Sequence, residues 1–440
     1  MRTGRGSVRV RARAWAELLR LPALFTVPGD ALAGAAAVSA RPTPRTFLAI
    51  ASSLCLYEAG MALNDWADRD VDAVERPHRP LPSGRVRPAA ALGAACVLTG
   101  AGLSFAAWAG RPALTVAVPL AATVWAYDLA LKNTRLGPAA MATARGLDLL
   151  LGASATASAG GAGAAQRRGD GGAGPLGGGG GAGPVGGGGG LRRVLGSFGS
   201  GRLAGAFGVT PDAVGESGGG GAGHKGDAVD AWVSAVADEA RAASAVAPTP
   251  TAFRTVRQAL PSAALLGAHT LALTTVSRKE AQGGSPVGPL AALATTAVLT
   301  RLVARPRSLS TDRTGEGRRH GEPPSLEHRT TTARSLPPGP LAPPPRPDSG
   351  LRLLDDPPAA LRAALATAYA VTAARPYFHA VLNPSPSLTQ RAVTGGIRAT
   401  IPLQAALAAR SGTKSATLTA LLTTALAPLA TRFARKVSVT

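Results

Sequence analysis

Long apolar stretches separated by short polar or basic segments recur along most of the chain. They run Leu21–Ala40, Thr46–Leu63, Pro88–Ala109, Pro112–Leu131, Pro138–Thr156, Leu260–Ser277, Pro286–Val303 and Ala359–Ala374, followed by Ala392–Ala409 and Ser415–Ala430. Most approach the roughly 17–25 residues that an α-helix needs to cross a bilayer. The pattern predicts an all-α fold, a polytopic membrane bundle of about nine transmembrane helices. Alanine dominates where leucine is the usual choice, and such small side chains let helices approach closely. The first stretch follows a basic leader, as a signal sequence would. No small-residue cleavage site leads into a soluble domain, however, and a second stretch follows at once. A retained first helix is expected.

Two segments break the rhythm. From about Gly160 to Ala247 the chain is dominated by glycine, with runs at Gly177–Gly181 and Gly186–Gly190. Such a tract cannot bury enough apolar surface to offset its ordering entropy. Within it Val229, Trp232, Val233 and Val236 share one helical face, which predicts a short amphipathic helix over Ala228–Ala243. The second segment, about Arg305 to Gly350, is rich in Pro, Arg and Ser and reads as a linker. The expected organisation is therefore residues 1–159 as the first part of the bundle, 160–256 as a mostly disordered insertion and 257–304 as further transmembrane helices. Residues 305–357 then form a disordered linker and 358–440 the last helices. Deletion of Gly160–Gly223 is expected to leave membrane insertion intact, as read by membrane fractionation and a monodisperse detergent extract. A misfolded deletion variant would make the insertion structural.

Composition sharpens this picture. Of 440 residues only 16% are charged, against about a quarter in a soluble domain. Yet 47 Lys and Arg against 25 Asp and Glu leave a formal net charge of +22, which points to an anionic partner. Nucleic acid is disfavoured, because stacking aromatics are scarce and no zinc-finger, RRM or helix-turn-helix pattern is present. Cys55 and Cys96 lie in apolar runs, which excludes a disulfide framework or a cysteine zinc site. Basic residues concentrate in the leader and in alternate short loops: Arg69, Arg76, Arg79, Arg85 and Arg87, then Lys132 and Arg135, then Arg278 and Lys279. By the positive-inside rule the N-terminus and these loops face the cytoplasm of a cell-membrane protein.

The densest polar cluster follows the second stretch: Asn64, Asp65, Asp68, Asp70 and Asp72. On a continued helix Asp65, Asp68 and Asp72 fall at i, i+3 and i+7, one face of two turns. Carboxylates so placed repel one another unless a divalent cation and its anionic ligand complete the site, and oxygen-only donors suit Mg²⁺ shared with phosphates. Cationic partners stand next to it at Arg76 and Arg79. A solvated charged helix end is the plain alternative, with Asp72 and Arg76 as an ordinary i, i+4 pair. An EF-hand is a poor alternative, because the loop glycine and the terminal bidentate glutamate are missing at the required positions.

Asn64-Asp65-x-x-Asp68-x-x-x-Asp72 with Arg76-x-x-Arg79-Pro80 resembles the first signature of the UbiA superfamily of intramembrane prenyltransferases. Tyr127-Asp128-x-x-x-Lys132, Gly137-Pro138-x-x-Met141 and Arg145-Gly146-Leu147-Asp148 extend the resemblance. It implies a helical bundle around a cavity open to lipid. It also implies an enzyme that ionises a Mg²⁺-bound isoprenoid diphosphate and alkylates an aromatic or other lipophilic acceptor, with no protein partner inferred. On these positions Asp65, Asp68 and Asp72 would be the catalytic metal ligands. Asn64, Arg76, Arg79, Tyr127 and Lys132 would bind the diphosphate, and Asp148 would line the cavity.

The family's second acidic motif should fall between the sixth and seventh stretches, where the chain reads Val276-Ser277-Arg278-Lys279-Glu280. Glu280 takes the place of its last aspartate as a further metal ligand, with pairing to Arg278 as the alternative. Val276 replaces the first aspartate. The Ser-Arg-x-Glu form resembles a bacterial subgroup that includes EboC-like proteins. Asp30, Glu58, Asp128, Asp148 and His269 are further ionisable residues in apolar stretches, where such groups usually face a bundle interior. Structural hydrogen bonding is expected of Asp30 and Glu58, packing of His269, and for Asp148 either cavity lining or a pair with Arg145. Three other readings compete with the transferase. A phospholipid-headgroup transferase lacks its Asp-Gly-x-x-Ala-Arg motif here, and a transporter expects its charges near the midplane rather than at an edge. A non-catalytic family member in lipid binding or transport is the third.

Overall fold

The structure, a computed structural model, describes residues 3–169, 250–278, 285–305 and 356–437. The amphipathic helix over Ala228–Ala243, nearly all of both insertions, and Glu280 lie outside the described residues. Internal contacts divide the chain into two units, residues 1–161 with 242–440, and residues 162–241. The bundle belongs to the first unit; of the second, only the end of one helix is described.

Regular structure among the described residues is helical throughout. The helices are α1 (Thr3–Leu18), α2 (Val27–Ala37), α3 (Pro44–Glu75), α4 (Pro88–Ala109), α5 (Arg111–Ala126) and α6 (Gly137–Gly169). After the first insertion come α7 (Pro250–Ser277), α8 (Val287–Ala304), α9 (Pro357–Leu382), α10 (Pro386–Ala409) and α11 (Lys414–Val437). Among the described residues five segments are long and apolar enough to cross a membrane: Pro44–Glu75, Pro88–Ala109, Arg111–Leu131, Arg254–Ser277 and Val287–Ala304. The remaining expected spans are helical too, but shorter or more polar.

The first expected span, Leu21–Ala40, is broken. Leu21–Thr26 is a 3₁₀ turn and α2 starts only at Val27. Pro22 and Pro28 each lack an amide hydrogen and stand in the first turns of the 3₁₀ segment and of α2, where no amide bond is needed, so the chain restarts rather than running through. At 11 residues α2 is about 16 Å long, well short of a hydrocarbon core. Proline also sets the first turn of α3, α4, α9 and α10. At the head of α3 the Thr43 and Thr46 side chains close a reciprocal capping box. Pro119 lies inside α5, and past its end the backbone widens into a π turn over Tyr127–Leu131.

Small residues let the helices touch. A Cβ at Gly34 would overlap the α6 backbone at Leu149, and one at Gly152 would overlap the α2 backbone at Ala31. Thr46 of α3 and Thr156 of α6 are hydrogen-bonded at 2.8 Å, a polar contact of the kind that joins helices where water is absent. The helices α7, α9 and α10 meet around His269. Its Nδ1 lies 3.2 Å from the Tyr369 hydroxyl and its Nε2 3.1 Å from the Gly396 carbonyl. A carbonyl only accepts, so Nε2 carries the proton and Nδ1 accepts from Tyr369. His269 is therefore the satisfied packing residue the sequence suggests.

Asp148 and Arg145 do not form the pair that their i, i+3 spacing offers. Arg145 Nη1 reaches Asp30 Oδ2 at 2.6 Å, and Gln404 Nε2 donates to Asp30 Oδ1 at 2.6 Å. Asp148 accepts from the Ser53 hydroxyl instead. The close approach of α2 and α6 brings Asp30 within reach. Neither Glu58 carboxyl oxygen has a hydrogen-bond partner, so the structural bond expected there is not formed. Both cysteines are free and half-buried.

Candidate functional site

The polar end of α3 carries the site. The apolar stretch passes without a break into Asn64–Glu75, so one helix delivers both the membrane-embedded and the acidic segments. Arg76 ends the helix, and a short loop over 76–87 turns back before α4. Leu81 and Val86 anchor that loop by burial, and Val86 N–H donates to the Pro80 carbonyl at 3.0 Å. Gly84 sits at φ 71°, a left-handed turn that favours glycine.

Asp65 and Asp72 are buried at 5% and 3% exposure. One Arg79 nitrogen, Nη1, lies 2.8 Å from Asp72 Oδ2 and 3.5 Å from Asp65 Oδ1. A single positive charge thus bridges the two carboxylates. Arg76 approaches Asp72 from the side at 3.7 Å. Asp68 turns elsewhere: its Oδ1 lies 2.6 Å from Lys132 Nζ, just past the π turn. Its side chain is 32% exposed against 6% and 4% for Asp65 and Asp72, so it is the most open of the three. Asn64 donates to buried Asp128 at 3.0 Å, which ties α3 to the π turn and fixes the approach of Lys132. Tyr127 opens that turn and is half-buried.

Seven of the expected residues, Asn64, Asp65, Asp68, Asp72, Arg76, Arg79 and Lys132, are therefore gathered at one end of the bundle. They form two linked subsites, Asp65–Asp72–Arg79 and Asp68–Lys132, rather than one three-carboxylate group. Among the described residues no three Asp, Glu, His or Cys side chains lie close enough to hold an ion by themselves. Asp148 is not part of this set; it lies buried between α3 and α6. Of the second motif, Val276 is buried, and Arg278 donates to the Thr134 carbonyl, two residues beyond Lys132. That contact brings the end of α7 to the same rim.

Arg20 is the residue that sequence reasoning missed. Its Nη2 lies 3.1 Å from Asp65 Oδ1, although Arg20 closes a leader whose charges otherwise read as topological. Nothing in the local sequence separates it from the other leader arginines. The contact exists because α1 folds back on α3. Arg69, by contrast, stacks over Trp66 at 4.9 Å and pairs with Asp70, which takes both out of the site.

The fold and site define a multi-pass helical membrane protein with a buried acidic cluster set among cationic side chains at one bundle end. Residues 23–166 match the UbiA prenyltransferase family. The chain resembles the digeranylgeranylglyceryl phosphate synthase of Methanopyrus kandleri, 36% identical over 129 residues, or 28% of this chain and 46% of that protein. It also resembles the chloroplastic chlorophyll synthase of Arabidopsis thaliana, 39% identical over 69 residues, or 15% of this chain and 18% of that protein. The chain thus spans less than half the length of these curated relatives. The apo structure of a UbiA homologue from Aeropyrum pernix K1 aligns with a TM-score of 0.42 at 13% identity, covering 87% of this chain and 96% of that one. Archaeal and plant synthases place the resemblance at the level of the family and lend nothing to the narrower EboC-like assignment.

Proposed function

We propose that the chain is a prenyltransferase. It would move a prenyl group from an isoprenoid diphosphate, bound with Mg²⁺, to an aromatic or other lipophilic acceptor inside the membrane. The observation that carries this reading is the gathering of Arg20, Arg76, Arg79 and Lys132 around Asp65, Asp68 and Asp72, within or beside the segment that matches the family.

The donor set suits the metal. The oxygens of Asp65 and Asp72 converge on a position held here by a cationic nitrogen, and Asp68 is open beside them. Mg²⁺ commonly takes one or two carboxylates and completes its shell with water and substrate phosphate, so a single three-carboxylate group is not needed. Bound there, Mg²⁺ would neutralise charge on the departing diphosphate. The side chains do the rest. Arg79, Arg76 and Lys132 exchange their carboxylate partners for phosphate oxygens, and their charge stabilises the leaving group as the allylic carbon–oxygen bond breaks. Asn64 holds Asp128 and through it the π turn, which sets where Lys132 can reach. Tyr127 supports the same face, and Glu280 remains a further ligand in this proposal. The basic loops support an orientation in which this end of the bundle faces the cytoplasmic side of the cell membrane.

Purified protein in detergent, labelled prenyl diphosphates, candidate aromatic and lipid acceptors, and Mg²⁺ provide the test. Mg²⁺-dependent prenyl transfer supports the reading. Absence of both binding and turnover across the donors, with and without Mg²⁺, would falsify it. Val276 at the first acidic position of the second motif favours one other reading, a lipid-binding or transport member of the family. Prenyl diphosphate binding without turnover under these conditions would select it.

A further inference from the structure

The loop that carries Arg76 and Arg79 is gripped from outside by the N-terminal helix. Ala14 and Leu18 of α1 are fully buried, and α1 packs against α3. This aims Glu17 at Arg85: Nη1 donates to Oε2 at 2.7 Å and Nη2 to Oε1 at 3.2 Å, a bidentate pair. The same Arg85 also donates Nη2 to the His78 carbonyl at 2.5 Å and Nε to the Ser83 hydroxyl at 3.0 Å. Ser83 in turn donates to the Arg79 carbonyl at 2.6 Å. All three guanidinium nitrogens are thus engaged, and the chain of contacts ends on the backbone of the residue that bridges Asp65 and Asp72. Three residues after Glu17, Arg20 holds Asp65 from the inner side.

The geometry points to Arg85 and Glu17 as positioning residues: a clasp from α1 that sets the Arg76–Arg79 loop for diphosphate binding. Neither touches the acidic cluster, and both act through Arg79. Lysine cannot replace Arg85, because a single ammonium cannot span a carboxylate, a carbonyl and a hydroxyl in this fork. The inference rests on the diphosphate-binding proposal for its consequence, but the clasp itself is testable without any substrate.

Two measurements on the full chain in detergent test it. Arg76, Arg79 and Arg87 each precede proline, where trypsin does not cut, so Arg85–Val86 is the cleavable arginine bond of the loop. Glu17→Ala is expected to speed cleavage there by about fivefold, since exposed ion pairs contribute modestly. An unchanged rate overturns the clasp. In steady-state kinetics with geranylgeranyl diphosphate and whichever acceptor supports turnover, Arg85→Ala and Arg85→Lys should raise the donor KM severalfold, with kcat within about twofold. Glu17→Ala/Arg85→Ala should be no worse than Arg85→Ala alone. Additive losses, or a fall in kcat with KM unchanged, would overturn the positioning role. Faster cleavage in a protein that turns over no prenyl diphosphate would keep the clasp and sink the transferase reading instead.

Discussion

Asp68→Ala is expected to lower Mg²⁺-dependent prenyl transfer by about a thousandfold while leaving the protein folded and monodisperse. A loss of that size corresponds to about 4 kcal/mol of transition-state stabilisation, the range expected when an electrostatic contact to developing charge is removed. Asp68 is the most exposed of the three carboxylates, and its partner Lys132 is the cation nearest to it. On the proposed reading, removing it takes away a metal ligand and also frees Lys132 from its fixed place. Fold should survive, because Asp68 is partly exposed and its neighbours Trp66 and Asp65 keep their own contacts. Asp70→Ala is the matched control. It lies two residues away with a 72% exposed side chain and pairs with Arg69. Activity within about twofold of the parent is expected for it. Comparable losses at both positions would mean that general helix-end charge, not this geometry, matters. Asp68→Ala retaining more than a tenth of parent activity would remove Asp68 from the proposed catalytic set.

The contrast between these two aspartates shows what a sequence pattern carries. The spacing of Asp65, Asp68 and Asp72 is periodic and local, so their common helix face is legible from the chain alone. Their division into two subsites is not, because it depends on Lys132, far along the chain, arriving past a π turn. The apolar spans were legible for the same local reason, with one failure at Leu21–Ala40. There the hydropathy pattern outweighed two prolines whose missing amides decide the break. Arg20 was hidden for a different reason: one arginine among several has no local signature, and only the return of α1 onto α3 selects it. Arg145 was misdirected by proximity in sequence. Its i, i+3 neighbour Asp148 lies on the same helix, but backbone contact at Gly34 and Gly152 presents Asp30 of another helix at a better distance.

That misdirection defines the largest expected effect on stability, at Asp30→Ala. Asp30 is fully buried and holds two groups at 2.6 Å, Arg145 Nη1 and Gln404 Nε2. It joins α2 to α6 and to α10, elements far apart in the chain. Removing the carboxylate leaves the Arg145 guanidinium inside the bundle without its counter-ion. Breaking such a buried pair costs about 3–5 kcal/mol, which should lower the melting temperature in detergent by roughly 10 °C. The Gln404 amide keeps its bond to the Thr26 carbonyl at 2.7 Å, so it is only half orphaned, and most of the loss should arise at Arg145. Asp30→Ala/Arg145→Leu tests that assignment, since replacing both partners with apolar groups removes the stranded charge. The double variant should recover more than half of the lost melting temperature. If Asp30→Ala alone shifts it by less than about 2 °C, Arg145 has moved to Asp148 on its own helix. The bundle would then be held at this point by apolar packing between α2 and α6, with the ion pair contributing little.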